Sequence, residues 1–220
     1  TYAAYDLGVT VSSPEVADAV AEVASPAAPL RVHLNVDTGM GRIGLHPDEA
    51  AATTTRLRRV PGVKLAGLWT HFATAGSDDP SFAQGQLARF EAVREAVGDM
   101  APCVHVANSS ALFTLSDHLP TFAPALVRTG IMLYGLSGRA DLMERARLRP
   151  VMELTAQVTH VKTVPAGTSI SYGRRWTAPR TTRIATLGAG YGDGYLRHGS
   201  NRAVVSLHGH RVPVVGSVCM

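Results

Sequence analysis

Four groups of polar residues fall at or near the C-terminal ends of successive strand-like runs: Asp37 to Arg42, His71, Asn108-Ser109 and Arg128. Each comes from a different βα unit. In βα barrels and open α/β sheets alike, the carboxyl ends of the strands are the edge where chemistry is done. Any one of these residues has an ordinary structural explanation, such as a hydrogen-bonded core histidine or a buried ion pair. Four on one edge are hard to assign to packing, so a shared site is expected there. A fifth feature lies in Thr186-Leu187-Gly188-Ala189-Gly190-Tyr191-Gly192-Asp193-Gly194-Tyr195. There one tyrosine, Tyr191, ends an apolar run among glycines that free the backbone. Such a loop brings something close to its backbone or displays the side chain it keeps, and a displayed Tyr191 is the reading adopted.

Other chemistries fit less well. Gly39-Met40-Gly41-Arg42-Ile43-Gly44 matches G-x-G-x-x-G between a strand and a helix, but no Asp or Glu lies between Glu49 and Asp78 to take a ribose. Gly188 to Gly194 fails more plainly, because a turn, Arg197 to Asn201, follows it. His33, His105 and His160 fall within strands, and His208 and His210 flank Gly209 in a hairpin. Without acidic residues or cysteines at ligand spacing, no metal site is expected. The arginines are scattered rather than gathered with aromatics on one face, which argues against a nucleic-acid surface.

The elements that must position these groups follow from the hydrophobic pattern. Val9 to Ser12 reads as a strand, and Ser13-Pro14 opens a helix as N-cap and first residue. Leu30 to Val36, Val63 to Phe72, Cys103 to Ala107 and Leu126 to Leu133 read as further strands. Helices are expected from near Pro47, from Pro80 to Val97 (Phe82, Leu87, Phe90 and Val93 on one face), and briefly after Asn108-Ser109. This alternation means βα units and a parallel sheet, and pattern alone leaves a barrel and an open sheet tied. After Pro150 the pattern turns to strands linked by Gly- and Pro-rich turns: Glu153 to Val164, Arg183 to Leu187, Ala203 to Leu207 and Arg211 to Val218. That reads as a second, all-β domain.

The chain has 220 residues, a formal charge of +4 and 17% charged residues, ordinary for a globular protein. No apolar run reaches the roughly 18 residues of a membrane span, and no signal peptide is visible. Cys103 and Cys219 make no disulfide framework, so a cytoplasmic compartment is expected. Thr1 and Met220 both fall mid-pattern, and the chain reads as an internal fragment.

Together the motifs closely resemble the alanine racemase family, pyridoxal 5'-phosphate (PLP) enzymes with a βα barrel and a C-terminal β domain. The resemblance rests on Val36 to Gly44, Trp69 to Ala73, Ala107 to Ser109 and Val127 to Gly135. It continues through Val161 to Val164, Ser171 to Gly173, Gly190 to Gly194 and Cys219-Met220. It implies an α/β class fold: the C-terminal part of a (β/α)8 TIM-like barrel over residues 1–145, then part of an all-β domain over 146–220. By the same resemblance Tyr191 is the base on the L-alanine side, acting in the other subunit of a homodimer. His71 packs against the cofactor ring and bonds the tyrosine, Arg128 faces the pyridine nitrogen, and Ser109, Gly130 and Ile131 hold the phosphate. Arg42 and, through its backbone, Met220 lie by the substrate carboxylate. A tyrosine with its ordinary pKa of about 10 is a poor base at neutral pH, and a nearby arginine and polarised histidine are what lower it.

Two departures stand out. The family's PLP-binding lysine, also the D-side base, lies in an early strand, and neither lysine here replaces it: Lys64 precedes its strand and Lys162 lies in the β domain. Asn35 stands where many relatives carry a carbamylated lysine, so Arg42 must be oriented otherwise. The implied activity is interconversion of L- and D-alanine for peptidoglycan. A broader or serine/lysine racemase, a non-catalytic PLP-binding barrel protein and a related PLP decarboxylase are the alternatives. With about three barrel strands lacking, the fragment alone is expected to be inactive.

Overall fold

In the computed structural model, which describes residues 2–117, 119 and 126–220, the chain divides into two units, Thr1–Met152 and Glu153–Met220. The first unit alternates β1 (Gly8–Val11), α1 (Pro14–Val23), β2 (Leu30–Asn35), α2 (Pro47–Arg58), β3 (Val63–Trp69), α3 (Ser81–Val97), β4 (Cys103–His105), α4 (Ala111–Thr114) and α5 (Ala140–Arg145). The four strands are parallel and lie in the order β1-β2-β3-β4. An open doubly wound sheet reverses its order at a switch point, whereas a barrel wall adds each strand beside the last. The observed order is that of a barrel wall.

Local signals explain several boundaries. Ser13 caps α1 by accepting the Val16 N–H at 3.3 Å, and Pro14 occupies the first turn, where its missing N–H is not needed. In α2, which begins at Pro47, the His46 side chain accepts the Asp48 N–H and the Glu49 carboxylate accepts the His46 N–H, which caps the helix. The core lies between sheet and helices, with Val32, Leu34, Val36, Leu57, Leu68 and Phe90 fully buried. Phe82, expected on the buried face of α3, is 47% exposed. Its ring instead leans on Gly39, where an added Cβ would lie 3.1 Å from Phe82 Cζ.

The expected strand over Leu126 to Leu133 does not form among the described residues. Only Arg128 makes a bridge, to Asn108, and Ile131–Tyr134 coils into a turn of 3-10 helix. Gly130, at φ −105° and ψ −92°, breaks the extended path, and the Ser109 hydroxyl accepts its N–H in place of a neighbouring strand.

The second unit is built of antiparallel pairs. β5 (Val158–Val164) pairs with β8 (Thr182–Leu187), β6 (Ser169–Ile170) with β7 (Trp176–Thr177), and β9 (Val204–Leu207) with β10 (His210–Pro213). The last strand ends at Pro213, short of the expected Val218; proline has no ladder N–H, and Gly216 turns the chain at φ +79°. Val164, Ala178 and Ile184 form its small core. Among the described residues, no helix in either unit is long and apolar enough to cross a membrane.

Candidate active site

The glycine-rich loop after β2 is closed by its own aspartate. Asp37 Oδ1 accepts the N–H groups of Gly39, Met40 and Gly41 at 2.9, 2.8 and 3.1 Å, and Oδ2 accepts Gly41 again at 3.0 Å. Burial works against ionising Asp37, but these N–H groups outweigh it and hold the carboxyl below its ordinary range. The donors that a dinucleotide phosphate would need are thereby taken. Gly44, at φ +140°, lets the loop return, since a Cβ there would lie 2.5 Å from Asp37 N. The buried Asn35 amide donates to Ile43 O at 3.2 Å, so it steadies the backbone beside Arg42. Arg42 itself is exposed.

Arg128 is the hub of the strand-end edge. Its Nη1 donates to His105 O and to His105 Nδ1, both at 2.7 Å. Its Nη2 donates to Thr70 O at 2.6 Å and to His71 Nδ1 at 3.3 Å. The guanidinium also lies over the Trp69 ring, 4.6 Å from its centroid, and Trp69 in turn stacks on His105. Burial, then the charge of Arg42, pulls the Arg128 pKa down to about 10, so it remains a cation at neutral pH.

Because arginine can only donate, both histidine nitrogens facing it must accept, and this fixes the tautomers. His71 carries its proton on Nε2, and burial with the charges of Arg128 and Arg42 lowers its pKa, keeping the ring neutral. His105 likewise carries its proton on Nε2 and donates it to His33 Nδ1 at 3.0 Å. Burial, Arg128 and His33 together push the His105 pKa down to about 3.

The proposed phosphate residues also meet. Gly130 N donates to Ser109 Oγ at 2.9 Å, and Ile131 begins the turn that follows. Lys64 is the second residue of β3, at the end opposite His71. In the second unit, Tyr191 is 48% exposed on the turn Tyr191–Asp193. Its N–H donates to Cys219 O at 2.9 Å, and Gly192 N donates to Met220 O at 3.0 Å. Met220 is thus the brace of the tyrosine turn through its backbone, with its side chain exposed.

The family profile described as alanine racemase, N-terminal domain, matches residues 1–138, and the alanine racemase C-terminal domain matches 151–220. The chain belongs to the alanine racemase family. An alanine racemase of Deinococcus deserti is 46% identical over 217 residues, covering 98% of this chain and 58% of the relative. The crystal structure of alanine racemase from Streptomyces coelicolor superposes with a TM-score of 0.86 at 35% identity, covering all of this chain and 59% of that one. That of Bartonella henselae, described with covalently bound pyridoxal phosphate, gives 0.78 at 25% identity. The chain thus spans somewhat over half the length of the alanine racemases it matches.

Several residues of this network carry no sequence motif. His33 and His105 read from the sequence as strand histidines, yet they continue the Arg128 network. The register explains how. His33 pairs with Gly67 in β3, and the missing side chain at Gly67 lets the imidazole reach across to β4. A Cβ on Gly67 would lie 2.5 Å from His33 Nδ1. A histidine in each of two strands flanking a strand with a glycine was the available signal. Thr70 and Gln86 gave none.

Proposed function

We propose that the full-length protein is a PLP-dependent alanine racemase, cytoplasmic and homodimeric, that interconverts L- and D-alanine by moving the α-proton between two bases. The Arg128 cluster carries this reading. Four of its five N–H groups are held by the protein, and the fifth, on Nε, has no acceptor among the described residues. A cation with one donor left suits an unprotonated ring nitrogen, so the residues present fit the cofactor. Arg128 would face that nitrogen, His71 would lie against the ring, and Ser109, Gly130 and Ile131 would hold the phosphate. When bound, PLP withdraws electron density from the amino acid α-carbon and acidifies its proton.

Tyr191 is the proposed base on the L-alanine side. In the proposed dimer His71, with its proton on Nε2 and its other nitrogen held by Arg128, would donate to the oxygen of Tyr191 of the partner subunit and so assist it as a base. Arg42 and the Met220 backbone would bind the substrate carboxylate. The D-side base and cofactor attachment would be a lysine outside residues 1–220, since neither Lys64 nor Lys162 has a position to serve. Peptidoglycan synthesis is the proposed use of the product.

Racemisation of alanine, serine and lysine by the full-length protein tests the substrate. Tyr191→Phe is expected to slow L-alanine turnover by orders of magnitude while the absorbance of bound PLP persists. Unchanged turnover would remove Tyr191 from the reaction.

A further inference from the structure

Helix α3 carries one polar side chain that is fully buried, Gln86, in a stripe otherwise made of Ala83, Leu87, Phe90, Val93 and Val97. Its carboxamide is used at every bonding group. Nε2 donates to His71 O at 3.0 Å and to Thr38 Oγ1 at 3.4 Å, while Oε1 accepts Ala73 N at 2.9 Å. One turn along, Arg89 Nε donates to Thr38 O at 2.8 Å. Thr38 Oγ1 in turn meets Thr70 Oγ1 at 2.8 Å, and Thr70 O is an acceptor of Arg128. A single helix face therefore grips the loop of His71 at His71 O and Ala73 N, on either side of Phe72, and the loop of Arg42 at Thr38.

We propose that Gln86 and Arg89 are positioning residues for the racemase site, clamping the His71 loop and the Arg42 loop to α3 in one register. This rests on the functional reading above for the roles of His71 and Arg42. A leucine at 86 would fill the same space, so packing alone does not call for an amide. It would leave His71 O and Ala73 N without the partner that each has in Gln86. The bond from Arg128 to His71 Nδ1 is 3.3 Å long, near the limit of a useful hydrogen bond, so a small shift of this loop breaks it. His71 is then free to carry its proton on either nitrogen. Arg89 holds only the other loop, so its loss should act on substrate binding and leave His71 alone.

The test uses the full-length holoenzyme with Gln86→Met, Gln86→Glu and Arg89→Met. Nitrogen-15 NMR reads the His71 tautomer, and steady-state kinetics with alanine reads kcat and KM separately. Gln86→Met is expected to convert His71 from the Nε2–H form to a mixture and to lower kcat roughly 10- to 100-fold, as a misplacement of about 1 Å can. Gln86→Glu keeps the volume and the acceptor for Ala73, and its fully buried carboxyl, held neutral by burial, has an O–H for His71 O, so it should keep the Nε2–H tautomer. Arg89→Met, at an exposed position, should raise KM several-fold with kcat and the His71 tautomer kept. A single Nε2–H tautomer in Gln86→Met, or an unchanged KM in Arg89→Met, overturns the clamp. If the wild-type protein does not racemise alanine, the functional reading fails, and the His71 tautomer still decides whether Gln86 sets that residue.

Discussion

Acid should destabilise the barrel unit mainly through His105. This ring is 7% exposed and accepts from Arg128, and its pKa falls from 6.5 to about 3 in the folded protein. Below pH 6.5 the unfolded chain takes up a proton that the folded chain refuses. Stability is therefore complete above about pH 6.5 and declines as pH falls toward about 3. At 1.36 kcal/mol per tenfold change in proton affinity the limit is about 5 kcal/mol, and interior relaxation brings it nearer 2–3 kcal/mol. His33 and His71, both shifted downward, add slope of the same sign. Denaturant unfolding of the protein between pH 7 and pH 4 gives the slope, and NMR titration of each imidazole assigns it. His105→Gln, which keeps an acceptor for Arg128 and a donor for His33, should remove about one proton from the difference between unfolded and folded states. An unchanged slope in that variant, or a His105 that titrates near 6.5, would refute the argument.

Three further outcomes are expected. Gly67→Ala places a methyl group 2.5 Å from His33 Nδ1 and from Cys103 O, so it should cost about 1–3 kcal/mol and abolish the His33–His105 hydrogen bond, seen by denaturation and by the His33 ring resonances. Asp37→Ala leaves the loop N–H groups of Gly39, Met40 and Gly41 without their carboxylate; amide exchange there should quicken, and stability should fall by about 1–3 kcal/mol. Gly190→Ala would set a Cβ 2.2 Å from Cys219 O, which forces the Tyr191 turn off its brace; L-alanine turnover should collapse while thermal unfolding of the barrel unit stays unchanged.

What could be read from the sequence was what is local. Ser13-Pro14 marks a helix start because the cap bond spans three residues, and Pro47 does the same for α2. The apolar runs located β1 to β4, after which Asp37, His71 and Asn108 follow β2, β3 and β4, while Arg128 reaches His71 without a strand of its own. Strand ends were overrun for a physical reason. Phe72, Val106 and Ala107 lie beyond the ladders of β3 and β4 yet remain buried, and hydropathy reports burial rather than pairing. The resemblance to alanine racemases, rather than periodicity, separated barrel from open sheet, and the strand order agrees with it.

The polar network was hidden because its members are far apart in sequence and each has an ordinary local reading. His33 and His105 are 72 residues apart, and Thr70 and Arg128 are 58 apart. Gln86 looks like any polar residue on a helix until the fold buries it beside His71. These residues matter together because arginine cannot accept a proton: one fixed cation, Arg128, dictates the tautomer of His105 and of His71 at once. His33 then receives its orientation from His105, and His71 presents an N–H on the side away from Arg128. The direction of the donors at the strand-end edge is therefore set by a single residue.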